Sequence, residues 1–138
     1  RLLVNRAAAA GYLPLYAACE FPEQGLPALA DGLAPHLPIA VMLLGMGTDM
    51  HTASLFPGAD KLTQGLAPDA PALVAMRAPG APEARITLSA RVLDASEHKH
   101  IVIMGDDKRV ALEHAQTLTP SVAPVCAVLN DTTVHWAP

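Results

Sequence analysis

The amino-acid sequence predicts an α/β fold: a doubly wound, mostly parallel sheet with helices on both faces, built as a three-layer sandwich. Three observations point there. Continuous apolar runs recur at 39–45 (IAVMLLG), 72–76 (ALVAM), 100–105 (HIVIMG) and 125–129 (VCAVL), and runs of this kind read as strands buried on both faces. Helical patterns at 89–98 and 106–118 sit between the later runs, so strand and helix alternate through the second half. The 138 residues are 51% hydrophobic and 16% charged, which excludes a disordered chain and fits one compact domain with a sizeable core.

Taken in order, residues 1–10 (RLLVNRAAAA) are helix-forming and Gly11 is a natural stop. Residues 13–18 (LPLYAA) read as a short strand weakened by Pro14. A weak helical period runs over 26–37. The strand 39–45 ends in glycine, and Arg85 enters a further strand, ITL, from a proline-rich loop. The helix over 106–118 opens with Asp106 and Asp107, favourable at the positive end of its dipole. The thirteen prolines fall mainly between these elements, and there is no internal repeat or interior linker.

Composition narrows the function. Nine Lys and Arg against thirteen Asp and Glu give a net charge of −4, which disfavours a broad nucleic-acid footprint. Any bound anion must be held by a few well-placed groups. Aromatics at 4% are too few for stacking platforms. Cys19 and Cys126 lack metal-site spacing and read as free thiols of a reducing cytoplasm. No apolar run approaches the roughly 20 residues of a membrane span, and no secretory signal pattern is present. The opening Arg1, followed at once by a periodic segment, leads us to expect the later part of a longer domain.

In open parallel sheets, ligands bind where strands end and loops enter the next helices. The first such end is GMGTDMHTASLFPG at 45–58. Gly45 and Gly47 allow a sharp turn and close backbone approach, and Asp49 and His51 present a carboxylate and an imidazole from one loop. Thr52 and Ser54 are placed to cap a following turn, whose amides would favour the neutral ring. A neutral imidazole takes a proton from water while a carboxylate orients it and supports the cation formed. The plainer alternative is an ordinary turn with a solvated histidine. The second end is GDDKR at 105–109, where Lys108 in a first helical turn suits a phosphate. Arg85 is a third candidate anion ligand. Both cations have the plain alternative of surface residues with acidic neighbours. His98 and His100 form a weak metal pair, while His36, His114 and His135 look solitary. The GMG triplet lacks the third glycine of a dinucleotide fingerprint.

The loop GMGTDMHTASLFPG closely resembles the signature of 6-phosphogluconolactonases, which share one α/β superfamily with glucosamine-6-phosphate deaminases. RLLVNRAAAAGYLPLY, RITLSARVL, IVIMGDDKR and AVLNDTTVHW are similar to further landmarks of that family, so the resemblance spans nearly the whole chain. The continuation Thr52-Ala53-Ser54-Leu55-Phe56-Pro57 resembles the lactonase branch. The resemblance implies a Rossmann-like sandwich and cytoplasmic, cofactor-free and metal-free hydrolysis of 6-phosphoglucono-1,5-lactone in the oxidative pentose phosphate pathway. His51 would be the base, Asp49 its orienting partner, and Arg85 and Lys108 phosphate ligands. Amides of the Gly45–Gly47 loop would stabilise an oxyanion by mechanism rather than by match. The sugar-phosphate lactone is the expected partner, with no nucleic acid or membrane.

Two departures accompany it. The family pattern has glycine where this chain has Met50, and a positive φ there would strain methionine. The family's N-terminal portion, with a glycine-rich phosphate loop, has no counterpart here, so open strand edges would favour self-association. A deaminase-like enzyme would need an acid soon after His51, and the nearest is Asp60. A non-catalytic sugar-phosphate binder is the alternative of a different class.

Overall fold

The computed structural model describes residues 9–79 and 81–138; most of the helix expected over 1–10 lies outside them. In chain order the elements are α1 (Pro22–Leu33), a 3₁₀ turn at Ala34–His36, β1 (Val41–Gly45) and α2 (Leu62–Leu66). Then come β2 (Leu73–Ala78), β3 (Ala81–Leu88), α3 (Ala90–Asp94), β4 (His98–Met104) and α4 (Asp106–Ala115). A 3₁₀ turn at Pro124–Val128 precedes β5 (Thr132–Ala137).

Strands β1, β4 and β5 form a parallel sheet with β4 in the middle, registered through Gly45 opposite Val102 and Val102 opposite His135. Side chains alternate across a strand, so Met42 and Leu44 of β1 join Ile101 and Ile103 of β4 on one face. That face is packed with Leu112 and Ala115 of α4 and with Val125 and Val128. The opposite face is less covered by the described residues. Among the described residues, Val41, Leu43, Val102 and Met104 lie exposed there, Leu43 at 70%. Both faces of this run are apolar in sequence.

Three expectations about single segments are corrected. The 72–76 run does form a strand, but β2 pairs antiparallel with β3 in a separate two-stranded sheet. Residues 125–129 form no strand: Pro124 starts a 3₁₀ turn that buries Val125 and Val128 completely. The strand lies later, at β5, whose mixed sequence TTVHWA suits a largely exposed edge. Residues 13–18 form no strand either, consistent with Pro14 removing a ladder donor.

Elsewhere the helices settle near their expected places. The helical period expected over 26–37 is met by a helix that begins earlier, at Pro22, where the Phe21 amide donates to Gln24 Oε1 at 3.4 Å, and that gives way to the 3₁₀ turn at Ala34–His36. Glu23 in its first turn accepts from Arg77 of β2 at 2.6 Å and from Lys61 at 3.4 Å. The Arg77 hydrogen bond, first among the causes, lowers the Glu23 carboxyl to about 2 and raises the guanidinium in turn. Buried Lys99 of β4 is paired to Asp94 at the end of α3, and its ammonium also donates to the Asp94 carbonyl at 3.1 Å.

Candidate active site

Because β1 and β4 are adjacent and parallel, the loops leaving their carboxyl ends are neighbours. The β1 loop is shaped by its own hydrogen bonds. Thr52, fully buried, donates from Oγ1 to the Gly45 carbonyl at 2.9 Å. The Gly47 amide donates to the His51 carbonyl at 3.1 Å, and the Met50 amide to the Gly47 carbonyl at 2.9 Å. The Val125 amide ties Met50 to the following 3₁₀ turn at 3.1 Å. No helix begins at Thr52 or Ser54, so neither is a helix cap; residues 52–59 are turns and bridges until α2.

The loop brings Asp49 and His51 together. His51 Nδ1 and Asp49 Oδ1 are 2.6 Å apart, and the same oxygen accepts the His51 amide at 3.3 Å. A carboxylate on Nδ1 selects the tautomer with the proton there, which leaves the Nε2 lone pair to act as base. Gly47 makes this cradle possible, since a Cβ at that position would collide with Asp49 Oδ1 and the His51 ring. Gly45 has no such constraint. Met50 sits at φ +64°, the left-handed region that penalises a side chain. The strain is there, yet the Asp49–His51 pair remains intact.

His51 faces a cavity of about 390 Å3 that it lines with Gly45, Gly47, Ala53 and Lys108. Lys108 reaches it from the first turn of α4, entered through Gly105 at φ +92°. Arg85, exposed on β3, joins the group by another route. Its Cζ lies 5.8 Å from the centroid of the Phe56 ring, and that ring packs on His51 with centroids 4.2 Å apart. Thr87 of β3, buried, accepts the Ser54 amide at 3.1 Å and so pins the loop to the strand that carries Arg85. Sequence reasoning missed Phe56 and Thr87. The signal for Thr87 was the two-residue period of a strand, which puts it on the Arg85 face. Larger hollows of about 570 Å3 lie elsewhere. One is lined mainly by Tyr12, Leu33 and other apolar residues, and the other by Arg77 and Asp60, which already pair with each other.

The family model for glucosamine-6-phosphate isomerases/6-phosphogluconolactonase matches residues 2–136. The chain belongs to this family. It is 37% identical to a 6-phosphogluconolactonase of Rhizobium meliloti over 99% of its own length and 62% of that protein. For a 6-phosphogluconolactonase of Mesorhizobium japonicum the identity is 39%, over 99% and 60%. The crystal structure of a 6-phosphogluconolactonase from Shewanella baltica superposes with a TM-score of 0.91 at 31% identity, over 99% of this chain and 61% of that one. The chain thus spans about three-fifths of the length of the curated relatives it matches.

Within the family, the isomerase branch would call on an acid close after His51. Asp60 does not serve: it accepts the Arg77 amide at 2.8 Å and lines the other hollow with Gly58 and Glu83. His135, expected to be solitary, meets His100 on the open sheet face, with Nδ1 of His100 3.1 Å from Nε2 of His135. Among the described residues no third ligand joins that pair. No helix there is long and apolar enough to cross a membrane.

Proposed function

We propose that the chain carries the proton-transfer site of a 6-phosphogluconolactonase, hydrolysing 6-phospho-D-glucono-1,5-lactone to 6-phosphogluconate in the oxidative pentose phosphate pathway. The observation that carries the reading is the Asp49–His51 pair facing a cavity shared with Lys108. His51 Nε2 takes a proton from water, and the resulting hydroxide adds to the lactone carbonyl carbon. Asp49 supports the imidazolium so formed. As the tetrahedral intermediate collapses, the bond from the carbonyl carbon to the ring oxygen breaks, and the imidazolium proton passes to that oxygen. No metal or cofactor is required by these steps.

Arg85 and Lys108 are the cations for the substrate phosphate. The Gly47 amide is already given to the His51 carbonyl, so oxyanion stabilisation falls to other donors around the Gly45–Gly47 loop and not to that amide. The reading places the enzyme in the cytoplasm with a small sugar phosphate as its partner and no nucleic acid. The open sheet face supports self-association. A second reading, binding without turnover, is favoured by the positive φ of Met50 alone.

The test is lactone hydrolysis above the spontaneous rate, by this chain and by the gene product expressed from its own start codon. Wild type accelerates the reaction, and His51→Ala lowers kcat by about 10²- to 10⁴-fold, the range for losing a general base. Binding of 6-phosphogluconate with no acceleration by either protein would put the second reading in its place.

A further inference from the structure

We infer that Phe56 is a positioning residue that sets the separation between the base and the phosphate-binding guanidinium, and so helps the site prefer a phosphorylated lactone; the inference rests on the lactonase reading above. The Phe56 ring is buried, 8% exposed, and both functional groups lean on it. The His51 imidazole packs at 4.2 Å between centroids with a 31° tilt. The Arg85 guanidinium carbon stands 5.8 Å from the same centroid, within reach of a cation–π attraction. One rigid ring therefore fixes two side chains that come from different elements, one from the β1 loop and one from β3.

The ring is itself held. The Leu55 amide donates to the Thr52 carbonyl at 2.9 Å, Leu55 is completely buried, and the Ala59 amide caps the Phe56 carbonyl at 3.2 Å. Thr87, two residues from Arg85 on β3, takes the Ser54 amide, so loop and strand cannot slide apart without breaking a hydrogen bond to a buried hydroxyl. Such a spacer matters for a substrate that carries a reacting carbonyl at one end and a phosphate at the other. Anchoring the phosphate then places the carbonyl against His51, and errors of about 1 Å in that placement are costly to rate. A lactone without phosphate gains nothing from the spacing.

The chain has two phenylalanines, Phe56 and the exposed Phe21, which makes fluorine NMR of 4-fluorophenylalanine-labelled protein a direct probe. Phe21 serves as the internal control. Inorganic phosphate, added at constant ionic strength, is expected to shift the Phe56 resonance and leave Phe21 still, and Arg85→Gln is expected to abolish that response. His51→Ala should still move the Phe56 signal in the Arg85→Gln background. A Phe56 resonance blind to phosphate, or equally responsive in Arg85→Gln, overturns the inference.

Kinetics of the gene product supply the second arm. Phe56→Leu should lower kcat/KM for the phosphorylated lactone by roughly tenfold and lower it much less for glucono-1,5-lactone. An equal fall on both substrates means the ring only supports the fold. If wild type hydrolyses neither lactone, the functional reading fails while the fluorine experiment still decides the spacer. That experiment needs no substitution at Phe56, so misfolding of Phe56→Leu does not leave the question open.

Discussion

The loop that leaves β1 and the exposed face of its sheet offer a contrast. At its carboxyl end the chain turns through Gly45–His51 with each described contact reinforcing the next: Thr52 on Gly45, Gly47 on His51, Asp49 on His51, Met50 against Val125. Along the same strand, Val41 and Leu43 stand in the open beside Val102 and Met104. A few hydrogen bonds inside one loop hold the Asp49–His51 geometry, whereas the described residues cover only one face of the sheet beneath it. On the proposed reading, proton transfer at His51 depends on local loop chemistry, and colloidal behaviour depends on the sheet. Substitutions that act on one region should leave the other unmoved.

The largest expected effect is on the loop side. Asp49→Asn keeps the size of the side chain but removes the charge and the preference for a proton on His51 Nδ1. We expect kcat to fall by about 10²- to 10⁴-fold, with an unchanged circular dichroism spectrum and melting temperature. A loss of less than about threefold would show that the pair at 2.6 Å is structural. On the sheet side, Val41→Glu with Met104→Lys should shift sedimentation of a concentrated solution towards monomer. Because both side chains already face solvent, stability should change by no more than about 0.5 kcal/mol. A drop in lactonase rate in the double variant would break the separation of the two regions.

A third, smaller effect concerns neither. Glu23 joins α1 to β2 through Arg77, and its carboxyl is held near 2 against an ordinary 4.5. A carboxylate depressed on folding stabilises the native state fully above its unfolded value, and that contribution fades as pH falls from about 4.5 towards 2. Exposure to solvent screens the pair, so the effect is modest. Melting temperatures between pH 6 and pH 2 should fall more gently for Glu23→Gln than for wild type in that window. Parallel curves would remove Glu23 from the account.

How much was legible in the sequence follows from which residues carried local signals. Asp49, His51 and Gly47 lie within five positions, and glycines at a strand end announce a close turn, so the loop could be read directly. Lys108 was legible because Gly105 and two aspartates mark a helix start. Arg85 was visible only as a lone cation. What joins it to the site is Phe56, an aromatic indistinguishable in sequence from core filler, and Thr87, whose hydroxyl meets a loop 33 positions earlier. The 125–129 run misled for a related reason. Apolar residues satisfy the core equally well as a strand or as a 3₁₀ turn, and Pro124 tipped the balance through a backbone constraint that hydropathy does not register. Apolar side chains on both sides of a strand likewise do not say which side the described residues cover.

The smallest effect tests whether the loop tolerates what the family pattern avoids. Met50 takes a left-handed backbone that glycine adopts freely, at a cost on the order of 1–2 kcal/mol for a side-chain-bearing residue. Two terms oppose relief by Met50→Gly. Glycine adds conformational entropy to the unfolded chain, and the methionine side chain packs against the core beside the 3₁₀ turn. The terms are of similar size, so we expect stability to move by less than about 1 kcal/mol. The rate should change by less than about threefold, because the Asp49–His51 contact is already formed with methionine in place. A rate increase of tenfold or more in Met50→Gly would mean that the strained backbone holds His51 away from its productive position. The loop would then be less self-sufficient than its hydrogen bonds imply, and the contrast with the sheet would narrow.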